Sequence, residues 1–128
     1  RLVGNGESII MNPRGGSILY NLFTGVYSVF EDASISIDNF SPDARHYIYS
    51  EKTEQQEQIH RRRFYNTRNL WIRRIDDSEE LLRIDGVNLW VWQDDDHLFI
   101  LKTNGKLGRI NIHSGEFHEY CDFDWRQS

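Results

Sequence analysis

Apolar residues in this chain fall in short runs, cut at regular intervals by turn-forming residues. In "FSPDARHYIY" (40–49) an aromatic leads into Ser-Pro-Asp-Ala, and a run of strand formers follows. Pro42 fixes φ and Asp43 can bond its own backbone, so the pattern predicts two strands meeting at a tight corner. The corner recurs. "WQDDDHLFIL" (92–101) aligns with it without a gap, setting Phe40 on Trp92, Asp43 on Asp95, Arg45 on His97, Tyr47 on Phe99 and Ile48 on Ile100. A shorter version, "NGESIIM" (5–11), places Asn5 on Asp43 and Ile10 on Ile48. A second element recurs too: "YNLFTGVYSVF" (20–30) aligns with "INIHSGEFHEY" (110–120), Thr24-Gly25 on Ser114-Gly115. "RRIDDSEELLR" (73–83) is a looser counterpart with Asp77-Ser78 at the turn.

Taken as structure, each unit predicts four short strands. The first ends on an aromatic (35–40, 87–92), and the second is the apolar run after the corner (7–11, 45–50, 97–102). The third precedes the Thr-Gly or Ser-Gly turn (17–22, 68–75, 106–112), and the fourth follows it (26–30, 79–84, 116–120). Gly25 and Gly115 supply the positive φ of a tight turn, and Asn104-Gly105 predicts a type I′ hairpin. Helix signals are otherwise poor. The expectation is an all-β, propeller-like array of about three four-stranded antiparallel sheets within one domain, 1–128. Its units span about 4–30, 35–84 and 87–120, the first lacking its first strand, and a further unit starts over 121–126, where Trp125 takes the place of Phe40 and Trp92.

Composition supports a globular sheet protein: 13% of residues are aromatic and two are prolines, which suits strands and argues against disorder. The formal charge of −5 opposes a whole-surface attraction to nucleic acid or anionic membrane, while leaving room for a local basic site. Cys121 is the only cysteine, so an intrachain disulfide and a cysteine-based zinc site are both excluded. No apolar run is long enough for a membrane helix. A chain opening on Arg1 is expected to be a piece of something longer or a processed product.

The candidate binding site is the stretch that departs from this pattern. "EKTEQQEQIHRRRFYNT" (51–67) joins two strands that elsewhere need only a short turn, and long loops in compact domains tend to carry function. Arg61, Arg62, Arg63 and Arg68 interleave with Phe64 and Tyr65, a set suited to carboxylates and to stacking. Three other clusters read as structural. Asp94-Asp95-Asp96 lacks the alternate spacing of a calcium loop and is a polar corner. His113 and His118 flank a turn and could face one another, but lack a third ligand. Trp90, Trp92 and Trp125 suit core packing, with Trp71 open. No metal, cofactor or catalytic constellation is expected.

The corner "SPDARHYIYSE" resembles the SPDG corner of propellers of the TolB and prolyl-oligopeptidase kind, with Ala44 in the place of glycine. The order of features is similar to the N-terminal blades of the dipeptidyl peptidase IV family, where a long loop carries a basic-aromatic stretch. "IHRRRFYNTRNLWI" (59–72) stands in that place, and the resemblance implies that Arg62 would match a substrate-holding arginine. The Gly-x-Ser-x-Gly elbow of that family's hydrolase is not in these residues. Three functions are carried forward. The first is a non-catalytic binding or scaffold module presenting loops to a protein or peptide, possibly acidic, partner. The second is the propeller segment of a dipeptidyl-peptidase-like serine peptidase. The third is a nucleic-acid-binding domain using Arg61–Arg63. Three sheets cannot close an ordinary ring, so neighbouring blades or self-association are expected to cover the outer faces.

Overall fold

The apolar runs become strands, and the turn residues separate them. A computed structural model describes the chain apart from residues 1, 5, 14, 15, 32–34, 36, 53–57, 60, 61, 64–66 and 123–128. Among the described residues the fold is all-β, with one 3-10 turn at Ile37–Asn39 and no α-helix. Strands β1 (Leu2–Val3), β2 (Ser8–Met11), β3 (Ser17–Asn21) and β4 (Tyr27–Phe30) form one antiparallel meander. A second meander runs through β5 (His46–Lys52), β8 (Arg68–Arg74), β9 (Glu80–Trp92), β10 (His97–Lys102), β11 (Lys106–Asn111) and β12 (Phe117–Asp122). Between β5 and β8, the short strands β6 (Gln58–Ile59) and β7 (Arg62–Arg63) pair as a two-stranded ribbon.

The six-stranded sheet doubles back on itself. In hydrogen-bonding order β5 and β11 are four strand spacings apart, roughly 19 Å in a flat sheet. Yet the rings of His46, on β5, and His113, just after β11, lie 5.6 Å apart. The crease falls in the middle of β9. Gly86 has φ 66°, and the register shifts on both sides of it, at Arg68/Leu70 and at Leu101/Lys102. One continuous face is thereby folded together: Ile48, Leu70, Ile72 and Ile84 from the near half pack with Leu98, Ile100, Ile110 and Ile112 from the far half. Each fully buried aliphatic chain of this kind contributes about 1.5–3 kcal/mol. A second cluster seats Ile10, Leu19 and Phe30 of the first meander on Phe40 and Tyr47, with the Phe30 ring 4.9 Å from that of Tyr47 and 5.2 Å from that of Phe40.

Three layers result, and their contacts have one sense. Call face A the side of each layer bearing the first residue after its corner: Ser8 and Ile10, His46 and Ile48, His97 and Phe99. Face A of the first layer packs on face B of the second, through Tyr47. Face A of the second packs on face B of the third, through Leu98 and Ile100. Two faces stay open. Face B of the first layer carries Met11, Tyr20, Tyr27 and Val29, all exposed. Face A of the third carries Leu89 and Val91, also exposed, beside the Phe99–Tyr120 ring pair.

The same local hydrogen bonds occur in each layer. Leu22 N–H donates to Glu7 O, Ile75 N–H to Arg45 O, and Ile112 N–H to Asp96 O, at 2.8, 2.9 and 3.0 Å. In the turn that follows, Thr24 Oγ1, Asp77 Oδ1 and Ser114 Oγ each accept the N–H two residues on. The residue after each of these acceptors has positive φ: Gly25 (73°), Ser78 (57°) and Gly115 (74°). Asn21 and Asn111 each accept two turn N–H groups at Oδ1. Arg74 stands in the middle layer instead, and its guanidinium bridges Asp77 and Glu79.

Several expectations are corrected. Residues 35–40 are not a strand: Ile37–Asn39 form a 3-10 turn and Phe40 makes a single bridge to Tyr47. Strands 79–84 and 87–92 are one strand, because Gly86 bends the chain without interrupting its pairing. A first strand does precede the Asn5 corner, since Leu2–Val3 pairs with Ser8 and Ile9. Cys121 and Asp122 belong to β12, and the remainder of the further unit expected over 121–126, Trp125 included, lies outside the described residues. At Asn104-Gly105 only Gly105 has positive φ (93°), and its N–H donates to Lys102 O. That is a type I turn closed by a left-handed glycine rather than type I′.

The most consequential correction concerns register. His46 O and His97 O both accept the closing corner bond, from Ser41 N–H and Gln93 N–H. The third corner is therefore one residue shorter than the second. His46 corresponds to His97, Tyr47 to Leu98 and Ile48 to Phe99, not Tyr47 to Phe99. One residue of slip exchanges the two faces of a strand.

Candidate partner-binding surface

The ribbon is carried by the sheet that supports it. At its base Lys52 pairs with Arg68 in the β5–β8 ladder. Arg62 and Arg63 lie on β7, paired with Ile59 and Gln58. Arg61, Phe64 and Tyr65 lie outside the described residues. Arg68 is part of the sheet: its guanidinium donates to Ser50 Oγ at 3.1 Å, which places it on face A of the second layer. Sequence reasoning grouped it with the ribbon arginines, and the structure brings it to their base.

Face B beside the ribbon holds residues that sequence reasoning did not select. The rings of Tyr49 and Trp71 lie 5.8 Å apart, directly opposite across the β5–β8 pair. Arg73 stacks over Tyr49 at 4.9 Å, and Arg83 over Trp71 at 5.0 Å. Arg83 also pairs with Asp85 at 2.8 Å, while Arg73 makes no ion pair among the described residues. Tyr49 Oη donates to Glu51 at 2.8 Å. Period-2 alternation in "RNLWIRR" (68–74) already sets Trp71 and Arg73 on one face. What it could not supply is the cross-strand neighbour, because pairing of β5 with β8 spans the ribbon.

A second polar cluster lies along the corners. Gly4 N–H donates to Pro42 O at 2.7 Å, linking the first corner to the second. The Asp95 carboxyl sits against the second corner and lies above the usual carboxylate range. Partial burial is the main cause, with the Asp43 charge next, partly offset by the N–H that Asp43 donates to it. Asp94 lies lower than usual. Burial works against this, but N–H groups of Asp96 and His97 and the His97 ring, 2.9 Å away, outweigh it. His113 Nε2–H donates to Asp96 at 2.8 Å. The ring of His113 turns toward His46, not toward His118, which packs on Tyr120. His46 is buried, and its Nδ1 has no hydrogen-bond partner among the described residues. Burial lowers its pKa first of all. The Asp43 and Asp96 charges oppose this, while His113 and Arg45 add to it.

These contacts explain the acidic run as corner chemistry, and no group of three or more His, Cys, Asp or Glu among the described residues is placed to hold a metal ion. Trp90 and Trp92 pack on the main core, and Trp92 Nε1–H donates to Asn39 O at 3.3 Å. No helix among the described residues is long and apolar enough to cross a membrane. No protein-family model matches the chain, and no curated protein matches it in sequence.

Proposed function

We propose that the chain is a non-catalytic interaction module of propeller type, binding an acidic peptide or protein segment at the ribbon and at the margin of face B of the second layer around Trp71 and Arg83, beside the part that the first layer covers through Tyr47. The observation that carries this is the Tyr49–Trp71 pair with Arg73 and Arg83 stacked over it, next to a ribbon that holds Arg62 and Arg63. Arginine stacked on an aromatic ring can offer its donors to a carboxylate at little further cost in side-chain order; Arg73 makes no ion pair among the described residues, while Arg83 already gives its Nε–H to Asp85 and would engage a ligand through its terminal nitrogens. The propeller reading is supported by three layers with the same corner and turn hydrogen bonds, and by the resemblance of the Ser-Pro-Asp corner to TolB and prolyl-oligopeptidase propellers.

The test is a titration with Glu/Asp-rich peptides, followed by calorimetry or fluorescence anisotropy. Arg73→Ala with Arg83→Ala, and separately Arg61→Ala, Arg62→Ala and Arg63→Ala together, are each expected to weaken binding by about tenfold or more, as loss of a charged hydrogen bond does. Unchanged affinity in both variants would refute the site. Binding of single-stranded DNA in preference to the peptides, with steep salt dependence, would transfer it to nucleic acid.

A further inference from the structure

We propose that the cavity between the corner segment of the second layer and the end of β9 is a binding site for a quaternary ammonium group. About 310 Å³ in volume, it is lined by Trp90, Val91 and Trp92 of β9 and by Asp38, Phe40 and Pro42 of the segment before β5. That is the small end of the range for ligand pockets, so it suits a compact head group. Trp90 and Trp92 stand two residues apart on one strand, so their indoles share a face, and each is only half-buried. Trp92 is fixed by the second layer, where its Nε1–H donates to Asn39 O at 3.3 Å. Asp38 belongs to the same 3-10 turn as Asn39 and brings an exposed carboxylate to the cavity.

The chemistry of the lining selects the ligand. Indole faces attract cations through the ring quadrupole, most strongly where water is displaced. Three other rings already carry a cation of the chain itself: Arg73 over Tyr49, Arg83 over Trp71 and Lys102 over Phe117. No arginine or lysine among the described residues stacks on Trp90, Trp92 or Phe40. The lining side chains offer the Asp38 carboxylate as their one acceptor, and Asn39 O beside it already takes the Trp92 N–H. A lysine ammonium has three N–H groups and an arginine five, so either would give up hydrogen bonds to water that this lining does not replace. An ammonium whose hydrogens are replaced by methyl groups has none to lose, and keeps its charge for Asp38 and the rings. The formal charge of −5 favours the approach of a cation. Two sources carry this group, a free choline-like ion and a trimethylated lysine in a peptide.

The test compares choline with dimethylbutanol, its uncharged isostere, in titrations followed by proton–nitrogen NMR. Choline is expected to move the indole N–H signals of Trp90 and Trp92 and to leave that of Trp71 in place. It should bind about tenfold or more tighter than the isostere, because shape is the same and only the charge differs. Asp38→Asn changes an exposed side chain, so circular dichroism should show an intact fold, and Trp90→Leu keeps an apolar group on the core. Each is expected to weaken choline binding by about fivefold or more. If Trp90→Leu does not fold, Asp38→Asn and the isostere decide. A trimethyl-lysine peptide that binds more tightly than choline names the peptide as the source; one that binds no better names the free ion. No saturable shift with either ligand overturns the proposal, as does equal binding of dimethylbutanol or of the unmethylated peptide. So does unchanged affinity in Asp38→Asn. The Arg73 and Arg83 variants should bind choline as the parent does, so failure of this site and failure of the ribbon surface are told apart.

Discussion

Replacing Ser78 with glycine should stabilise this protein, although it removes a side chain. Ser78 lies at φ 57°, in the place that Gly25 and Gly115 take in the other two turns, at 73° and 74°. A non-glycine residue in the left-handed region costs about 1–2 kcal/mol. Glycine relieves that cost but adds unfolded-state freedom of about 0.4–1 kcal/mol, so the net gain is roughly 0.5–1 kcal/mol. The reverse changes carry the opposite sign. Gly25→Ala should cost about 0.5–1 kcal/mol from the backbone alone, since a new Cβ would meet only Tyr20 Oη, at 3.8 Å. Gly115→Ala should cost more, because its Cβ would stand 3.3 Å from Leu82 Cδ1, across the fold in the sheet. Urea unfolding measures all three, with equal slopes required so that midpoints compare stability and not compactness. At about 3–5 °C per kcal/mol for a domain of this size, thermal midpoints would resolve the same order. A lowered midpoint for Ser78→Gly would refute the reasoning. It would mean that the Arg74 bridge to Asp77 and Glu79 needs the serine, so that the three turns are not alike.

Two further outcomes are expected. Because burial lowers the pKa of His46, the unfolded chain binds its proton more readily near pH 6.5. The stability His46 contributes is therefore fully present above that pH and is lost as pH falls through it, at up to about 1.4 kcal/mol per pH unit. Unfolding midpoints from pH 8 to 5 should fall less in His46→Phe than in the parent, and parallel curves would remove this role. Gly108→Ala should destabilise severely, by about 3 kcal/mol or more, because its Cβ would meet His118 O at 2.3 Å and the Phe117 ring at 2.6 Å, both across the β11–β12 pair. A folded variant with an unchanged midpoint would show that β12 is not held as described.

The sequence by itself determined the strands and their turns. Asn21, Thr24-Gly25, Asp77-Ser78 and Ser114-Gly115 act on neighbours two to four residues away, and alternation of side chains is a property of the strand itself. Hence the second and third strands of each predicted unit, and the fourth strands of the first and third units, fell within a residue or two of their places. Tertiary structure decided what depends on distant partners. The shortened Gln93–His97 corner reverses the faces of β10, and only the bonds to Gln93 and Ile112 reveal it. Residues 80–92 run as one strand because β8 and β10 hold its two halves, a pairing no local signal in "LLRIDGVNLW" expresses. The stack of Arg73 and Arg83 on Tyr49 and Trp71 was hidden for the same reason: β5 and β8 are neighbours in space with the ribbon between them in sequence. Short-range chemistry sets where each strand begins and ends. Which face it buries, and against what, is settled only when strands far apart in the chain compete for the same core.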